Sequence, residues 1–587
     1  MGTCCGKIGP DPPDPYGPSQ AVAVVAAGSS FTTERSSVSK GLDPRVIDNL
    51  VLELLNLIAS FVDNDEESPV SLVKLHVIAE KEEGWFQVVT SMVNTIPLDN
   101  PLGPSAISIV FDDCPLPSKE QVIKLQQMYG LSAMRALSGD INVQVERNIC
   151  VVLGCVADKL AGPNSVAVLT EETLDYMLSF LMFRREPRIV LFALIALEKF
   201  AHTTENKLTI KARLDQEEDN PLVFLEKFAN SQDWTWRQVG FCARWALDNL
   251  FTVPTRLLSY LAVDMTEIHA IMNSQDVSEY LKMSCDGLEA RCDSYSFESV
   301  RCTFSVNTGA WYYECTIITP GVMQIGWATK SSHFLNHEGY GIGDDLYSLS
   351  YDGCRKLLWH EAKPSPVYEV DGWRPGDIVG CLIDMEREEA IFSLNGRRIR
   401  RCTNLFETSR ANHIDLKQPS KGFFAAASFM AFQQCRFNFG VEPFRFPPTD
   451  REFKNFNDHG KLTDEEKTVL PRRLMLEKLR ATATKENACS ICCDNEATCM
   501  LLPCNHRGFC SLCTAQLKEC PIDITFLESP TPPTIRRIRN PPSPALSTSS
   551  SASTSSSSSM LDAFSLYLNT QLNLSRDNLA NVRYCLA

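Results

Sequence analysis

No run of eighteen apolar residues occurs in the 587-residue chain, so the sequence signal for a membrane-spanning helix is missing. The first residues also lack the basic stretch and apolar core of a secretory leader. The reducing cytosol is therefore the expected compartment, and clustered thiols there point to metal rather than disulfides. Positive charge is scarce as well. A net charge of −16 sets up a field that repels phosphate backbones, so no nucleic-acid partner is expected. The hydrophobic fraction of 44% and charged fraction of 22% are ordinary for globular protein. At this length, with about 150 residues per domain, roughly three or four domains are expected.

Cysteine is what the chain has in an informative pattern. There are 23, and eight of them lie between Cys489 and Cys520, where even spreading would put about one. Two more stand at the start, in Met1-Gly2-Thr3-Cys4-Cys5-Gly6. Gly2 offers a myristoyl acceptor, and Cys4 or Cys5 a palmitoyl acceptor. Two lipids hold a protein on a membrane, where one alone is marginal. Gly6 departs from the Ser or Thr of the acylation motif, and a plain leader is the alternative. The expected localisation is cytoplasmic, with membrane association through N-terminal acylation as an addition.

Composition divides the rest. Residues 1–45, rich in Pro, Gly and Ser, read as a disordered leader. Residues 46–283 carry helical periodicity. Three segments there are alike: Arg147 to Leu160, Arg188 to Phe200, and Arg237 to Leu250. Each opens on Arg, runs through small and apolar residues, and closes on an acid (Asp158, Glu198, Asp248). The spacing is near the period of armadillo or HEAT repeats, in which one unit cannot bury its own apolar face. An irregular helical domain of shared composition is the alternative. No catalytic constellation appears in this region.

Short alternating strands follow, over 284–445, bounded by Gly, Asp and Asn as in a β-sandwich. Asn395-Gly396 between two apolar runs is a tight-hairpin signal, because both residues tolerate positive φ. The ordered stretches Gly309–Glu314, Gln324–Ala328, Gly343–Asp345, Tyr351–Gly353, Gly376–Gly380, Leu394–Gly396 and Asn438–Gly440 resemble the motif run of a SPRY domain. That resemblance implies a non-enzymatic module that presents a loop-lined pocket to short peptide segments of a substrate or partner protein. Trp311, Trp327 and Phe392 are expected in the sandwich core, since large aromatics of alternating strands turn inward. Asp344, Asp345 and Tyr347 are the candidate peptide contacts.

A linker with a charged helix, from Thr463 to about Lys485, is expected within 446–486. Next comes a zinc module over 487–526. Its pairs are Cys489-x2-Cys492, Cys504-x-His506, Cys510-x2-Cys513 and Cys520-x2-Asp523. A two-residue gap lets both thiolates of a knuckle face one ion, and zinc takes four such ligands in a tetrahedron. The order resembles a RING finger, closest to the subtype of the inhibitor-of-apoptosis ligases. By that resemblance the pairs interleave around two ions: Cys489, Cys492, Cys510 and Cys513 on one, and Cys504, His506, Cys520 and Asp523 on the other. Interleaving lets a segment too small for a core fold around metal. Cys493 and Cys499 fall outside the pattern, as packed thiols or replacement ligands.

Position 523 departs from the family, which has Cys there and usually Arg next; this chain has Asp523 and Ile524. A carboxylate is a harder ligand, so the second zinc site is expected to be the weaker. The resemblance also implies that the module recruits a ubiquitin-conjugating enzyme through Ile491, Leu517 and Pro521. Residues 527–587, with a Ser/Thr run from Ser547 to Ser559, read as a disordered tail. The arrangement of helices, SPRY domain and RING is similar to the RING finger and SPRY domain-containing protein family. It implies a RING-type ubiquitin-protein ligase, the alternative being a non-catalytic zinc-binding scaffold with a degenerate RING.

Overall fold

The structure is a computed structural model that describes residues 43–60, 68–183, 186–216, 220–334, 339–403, 405, 422–483, 489, 496–502, 507–514 and 534–537. Helices run from Pro44 to Ala262, and strands of the sandwich begin at Met272.

The three similar segments become the helices Val143–Lys159, Pro187–Phe200 and Trp234–Asn249. Each start is fixed by a cap. The Asn142 side chain accepts from the Val145 N–H, Glu186 from Arg188 N–H ahead of a first-turn proline, and Asp233 from the N–H groups of Thr235 and Trp236. The middle helix packs against both of the others, and each closing acid takes up a cation. Asp158 pairs with Lys199 on the next helix, Glu198 with Lys282 of the sandwich, and Asp248 with Arg256 at 2.7 Å. Arg147 is used differently: its Nη2 donates to Pro97 O at 2.8 Å, and burial pushes its guanidinium down to about 10.

Two antiparallel sheets form the sandwich. One has the order β1 (Met272–Val277), β4 (Glu298–Cys302), β13 (Phe424–Phe429), β6 (Met323–Ala328), β7 (Ser348–Asp352), β8 (Leu357–His360), β9 (Lys363–Pro366). The other has β12 (Arg397–Thr403), β11 (Glu389–Leu394), β10 (Ile378–Asp384), β5 (Ala310–Ile317), β14 (Gln434–Asn438), β3 (Glu289–Cys292), β2 (Leu281–Met283), with β15 (Lys454–Asn455) parallel to β5. Trp311, Trp327 and Phe392 lie in the core between them, as expected. Asn395 and Gly396 both take positive φ, 49° and 77°, and turn β11 into β12 as the dipeptide predicts.

Four boundaries differ from the sequence reading. The helical region does not extend to 283, because β1 and β2 already belong to the sandwich. β1 is an irregular edge strand and β2 has three residues, so neither shows a sustained period-two pattern. The stretch 446–486 is more than a linker: β15 joins the sheet, and Phe456 is completely buried against Trp311 and Trp327. Its charged helix is two pieces, Asp464–Lys467 and Arg472–Ala483, because Pro471 disfavours helical backbone at the residue before it. Finally β18 (Thr534–Arg537) lies within 527–587, a four-residue stretch without Ser or Pro that pairs with the open side of another short strand.

The helical region and the sandwich share one core. Val322, Ala431 and Phe432 of the sandwich belong to the apolar cluster of the helices. Around them Ser105 Oγ donates to Ala431 O at 3.0 Å, Arg237 Nη2 to Glu289 at 2.6 Å, and Arg291 Nη1 to Gln238 at 3.0 Å.

Candidate metal centre

The thiols of Cys489, Cys510 and Cys513 lie within 4.8 Å of one another. Cys489 and Cys510 are buried and Cys513 is half-buried. Local structure explains the convergence. β16 (Cys499–Leu502) pairs with β17 (Arg507–Phe509), and Gly508 takes φ 105°, a value that only glycine adopts without strain. Directly after β17 comes Cys510, followed by the single helical turn Ser511–Thr514, whose Thr514 N–H donates to Cys510 O at 3.0 Å. That turn brings Cys513 back beside Cys510, and the Cys513 N–H points at Cys510 Sγ at 3.4 Å. Among the described residues, Leu501 and Phe509 pack with Cys489 and Cys510 in a small buried cluster, with Cys513 against it.

Such a cluster fits zinc. Three soft donors approach one another closely enough to share an ion at Zn–S distances of about 2.3 Å. A module of this size holds too small a core to fold alone, which is the usual circumstance of a structural metal. Cys499, in β16 and buried, stands outside the cluster.

The other positions named from the sequence lie outside the described residues. These are Cys492, Cys504, His506, Cys520 and Asp523 among the ligands, Ile491, Leu517 and Pro521 among the docking residues, and Gly2, Cys4 and Cys5 at the start.

On the sandwich, Asp344, Asp345 and Tyr347 share one loop, with the carboxylates turned to its own architecture. Asp344 accepts from Gln324 Nε2 at 2.7 Å and from Gly341 N–H at 2.8 Å, and burial pushes its carboxyl up to about 6. Asp345 accepts from the Tyr347 N–H at 2.7 Å and from the hydroxyls of Ser348 and Ser332. The sequence reading missed a different feature. A groove of about 1180 Å³ opens along the seam between helices and sandwich. Its only sequence signals are an aromatic-basic pair, Arg244-Trp245, and charged residues such as Lys282 in short strands.

Comparison with known proteins agrees with this geometry. The SPRY domain model matches residues 310–442, and the model for zinc finger, C3HC4 type (RING finger), matches residues 485–528. The E3 ubiquitin-protein ligase RKP of Arabidopsis thaliana is 33% identical over 152 residues, covering 26% of this chain and 11% of that protein. The ATP-dependent RNA helicase DDX1 of Xenopus laevis is 26% identical over 180 residues, covering 30% of this chain and 22% of that one. The chain thus spans between a tenth and a quarter of the length of these relatives. Among solved structures, it is similar to the SPRY domain of human HERC1, at 13% identity, 28% of this chain, 96% of that chain and a TM-score of 0.23. A sandwich matched by the SPRY model and a thiol cluster inside a segment matched by the RING model define a zinc-finger protein with a SPRY domain. The chain carries both a SPRY domain and a RING-type zinc finger, and is in that sense a RING and SPRY domain protein.

Proposed function

We propose that the protein is a RING-type ubiquitin-protein ligase. In this reading the SPRY domain captures a substrate or partner protein, and the zinc module recruits a ubiquitin-loaded conjugating enzyme. The observation that carries it is the cluster of Cys489, Cys510 and Cys513 inside a segment that matches the RING model. The ligase among the relatives supports it. Cys489, Cys510 and Cys513 would hold one zinc ion with Cys492, and Cys504, His506, Cys520 and Asp523 a second. Bound zinc supplies folding energy and rigidity. The chain's own part is positional: it holds a carrier enzyme beside the captured substrate and raises the effective concentration of the reacting groups. Ile491, Pro521 and Leu517 form the docking face. We place the protein in the cytoplasm, with acyl groups on Gly2 and Cys4 or Cys5 holding it to membrane; among the described residues no helix is long and apolar enough to cross one.

The test is self-ubiquitination in a reconstituted reaction with zinc. Activity is expected in the full chain and is lost in Ile491→Ala; full activity in that variant would refute the docking face.

Asp523 and Ile524 favour a second reading, a zinc-binding scaffold without ligase activity. An apolar residue at 524 makes no charge-assisted hydrogen bonds to ubiquitin or its carrier. Under this reading the purified chain binds zinc and leaves ubiquitin chains unformed, while Asp523→Cys together with Ile524→Arg gains activity.

A further inference from the structure

The strand β12 is the terminal member of its sheet, and among the described residues no strand pairs with its other side. The remaining sandwich edges are poorer templates. β2 has three residues, β1 is irregular, and β9 carries Pro364 and Pro366, which donate no N–H. An open edge of seven residues presents a row of backbone donors and acceptors that another strand completes. Its run Arg397-Arg398-Ile399-Arg400-Arg401-Cys402 does not alternate, and a bulge accommodates it. Ile399 is left over between Arg398, opposite Ser393, and Arg400, opposite Phe392. Ile399 and Cys402 reach the core, and the arginines stay exposed.

Charge on this edge is not balanced. Asp384, Glu389 and Asp450 already answer Arg387, Arg398, Arg401 and Arg451. Arg397 and Arg400 meet no carboxylate among the described residues. The other nearby acids are placed elsewhere. Glu386 and Glu388 stand in the turn from β10 to β11, past the Thr403 end of β12, where Thr403 pairs with Glu389. At the opposite end Asp377 accepts from Arg374 N–H at 2.7 Å and from Asn395 Nδ2 at 2.8 Å. The unmatched charge therefore sits on Arg397 and Arg400, and an exposed guanidinium pairs best with a carboxylate brought beside it. The same arginines deter a second copy of this strand, because like charges would face each other across the ladder. A phosphate chain matches the charge but brings no ladder of N–H and C=O groups, so the open edge favours polypeptide.

We propose that β12 accepts an extended acidic segment of a partner protein as an added strand, with carboxylates on Arg397 and Arg400. Backbone hydrogen bonds supply the affinity, and the arginines select the sign of the charge. Past the bulge, Arg400 to Thr403 keep unbroken register with β11 and form the straight part of the template. This surface lies on the sheet without β7, apart from the loop of Asp344 and Asp345 that precedes β7. It goes beyond the capture role proposed above. Its test reads binding alone, so a chain without ligase activity can still pass it.

Fluorescence anisotropy of the full chain is measured with fluorescein-labelled peptides of about ten residues in which Glu alternates with Val and Thr. A second peptide carries Lys in place of Glu. A third keeps Glu but has Pro at alternate Val and Thr positions, which removes N–H groups from the ladder. The first is expected to bind, the second not, and the third at least about tenfold more weakly than the first. Arg397→Glu with Arg400→Glu is expected to weaken the first peptide at least about tenfold and to gain the second. Both side chains are exposed, so the melt of this variant should match the parent's. Tyr368→Ala, exposed elsewhere on the sandwich, is expected to bind like the parent chain. Absence of binding by the first peptide would leave the arginines as guards of the edge alone and overturn the proposal. So would equal binding of the first peptide and either of the others, an unchanged affinity in the double variant, or displacement of the acidic peptide by an oligouridine.

Discussion

The ring of Phe432, in the sandwich, stands edge-on to that of Phe192, on the helix Pro187–Phe200, with centroids 5.2 Å apart. Both are buried in the cluster that the helices and sandwich share. Two regions with a common apolar core unfold together, because separating them exposes the apolar surface of both.

Phe432 also sits at φ 66°, a conformation that L-residues other than Gly, Asn and Asp rarely adopt. Phe432→Ala removes the ring and keeps the backbone strain, and is expected to cost about 3–5 kcal/mol. Phe432→Gly loses the same ring but relieves the strain. It should therefore be no less stable than the alanine variant, the reverse of the usual order at buried positions. Urea denaturation of the two variants decides this; a markedly weaker glycine variant would show that the strain is negligible.

Gly240 marks a second close approach. A Cβ there would stand 2.0 Å from Ala229 N and 2.3 Å from Phe228 C, both rigid backbone. The helix Trp234–Asn249 lies directly on the turn Glu226–Asn230. Gly240→Ala is expected to cost about 1–3 kcal/mol or more through overpacking, despite alanine's better helix propensity. A thermal melt unchanged from the parent would refute that packing.

Local chemistry explains what was legible in the sequence. Asn395-Gly396 reports its own hairpin, and alternation along β5, β6 and β11 reports a core between two sheets. The convergence of two of the thiols was legible for a similar reason: Cys510-x2-Cys513 places two sulfurs on one turn wherever the surrounding chain goes. Bringing Cys489 to them took the family pattern. The seam escaped notice because its partners are remote in sequence. Ser105 and Ala431 are 326 residues apart, and neither carries a periodic signal for the other. Phe456 was hidden likewise, an aromatic in a charged stretch that returns to the sandwich only through β15.

Glu198 gives a pH dependence. It is fully buried, and that burial pushes its carboxyl up to about 7 in spite of Lys282. Near pH 6 the folded state therefore holds a proton that the unfolded chain, with an ordinary carboxyl, has released. The folded state binds more protons in that window, so this group lowers stability as pH rises from about 4.5 to 7, after which its effect is flat. Glu198→Gln is expected to remove this part of the slope. Urea midpoints of the parent and the variant at pH 5, 6 and 7 measure it, and parallel curves would show that Lys282 keeps the carboxylate ionised throughout.

The thiol cluster distinguishes the proposed ligands from other buried thiols. Cys489, Cys510 and Cys513 converge, whereas Cys499 is just as buried in β16 but stands apart from them. Native mass spectrometry of the purified chain should therefore count fewer zinc ions in Cys489→Ser than in the parent, because a serine hydroxyl is a poor zinc ligand. Cys499→Ser should keep the parent's count and lose only packing, about 1 kcal/mol for a small buried thiol exchanged for a hydroxyl. A chelator should unfold the segment around β16 and β17 in the parent, since metal binding is its main source of folding energy. Loss of zinc in Cys499→Ser with retention in Cys489→Ser would transfer the ligand role to β16 and overturn the assignment of the cluster.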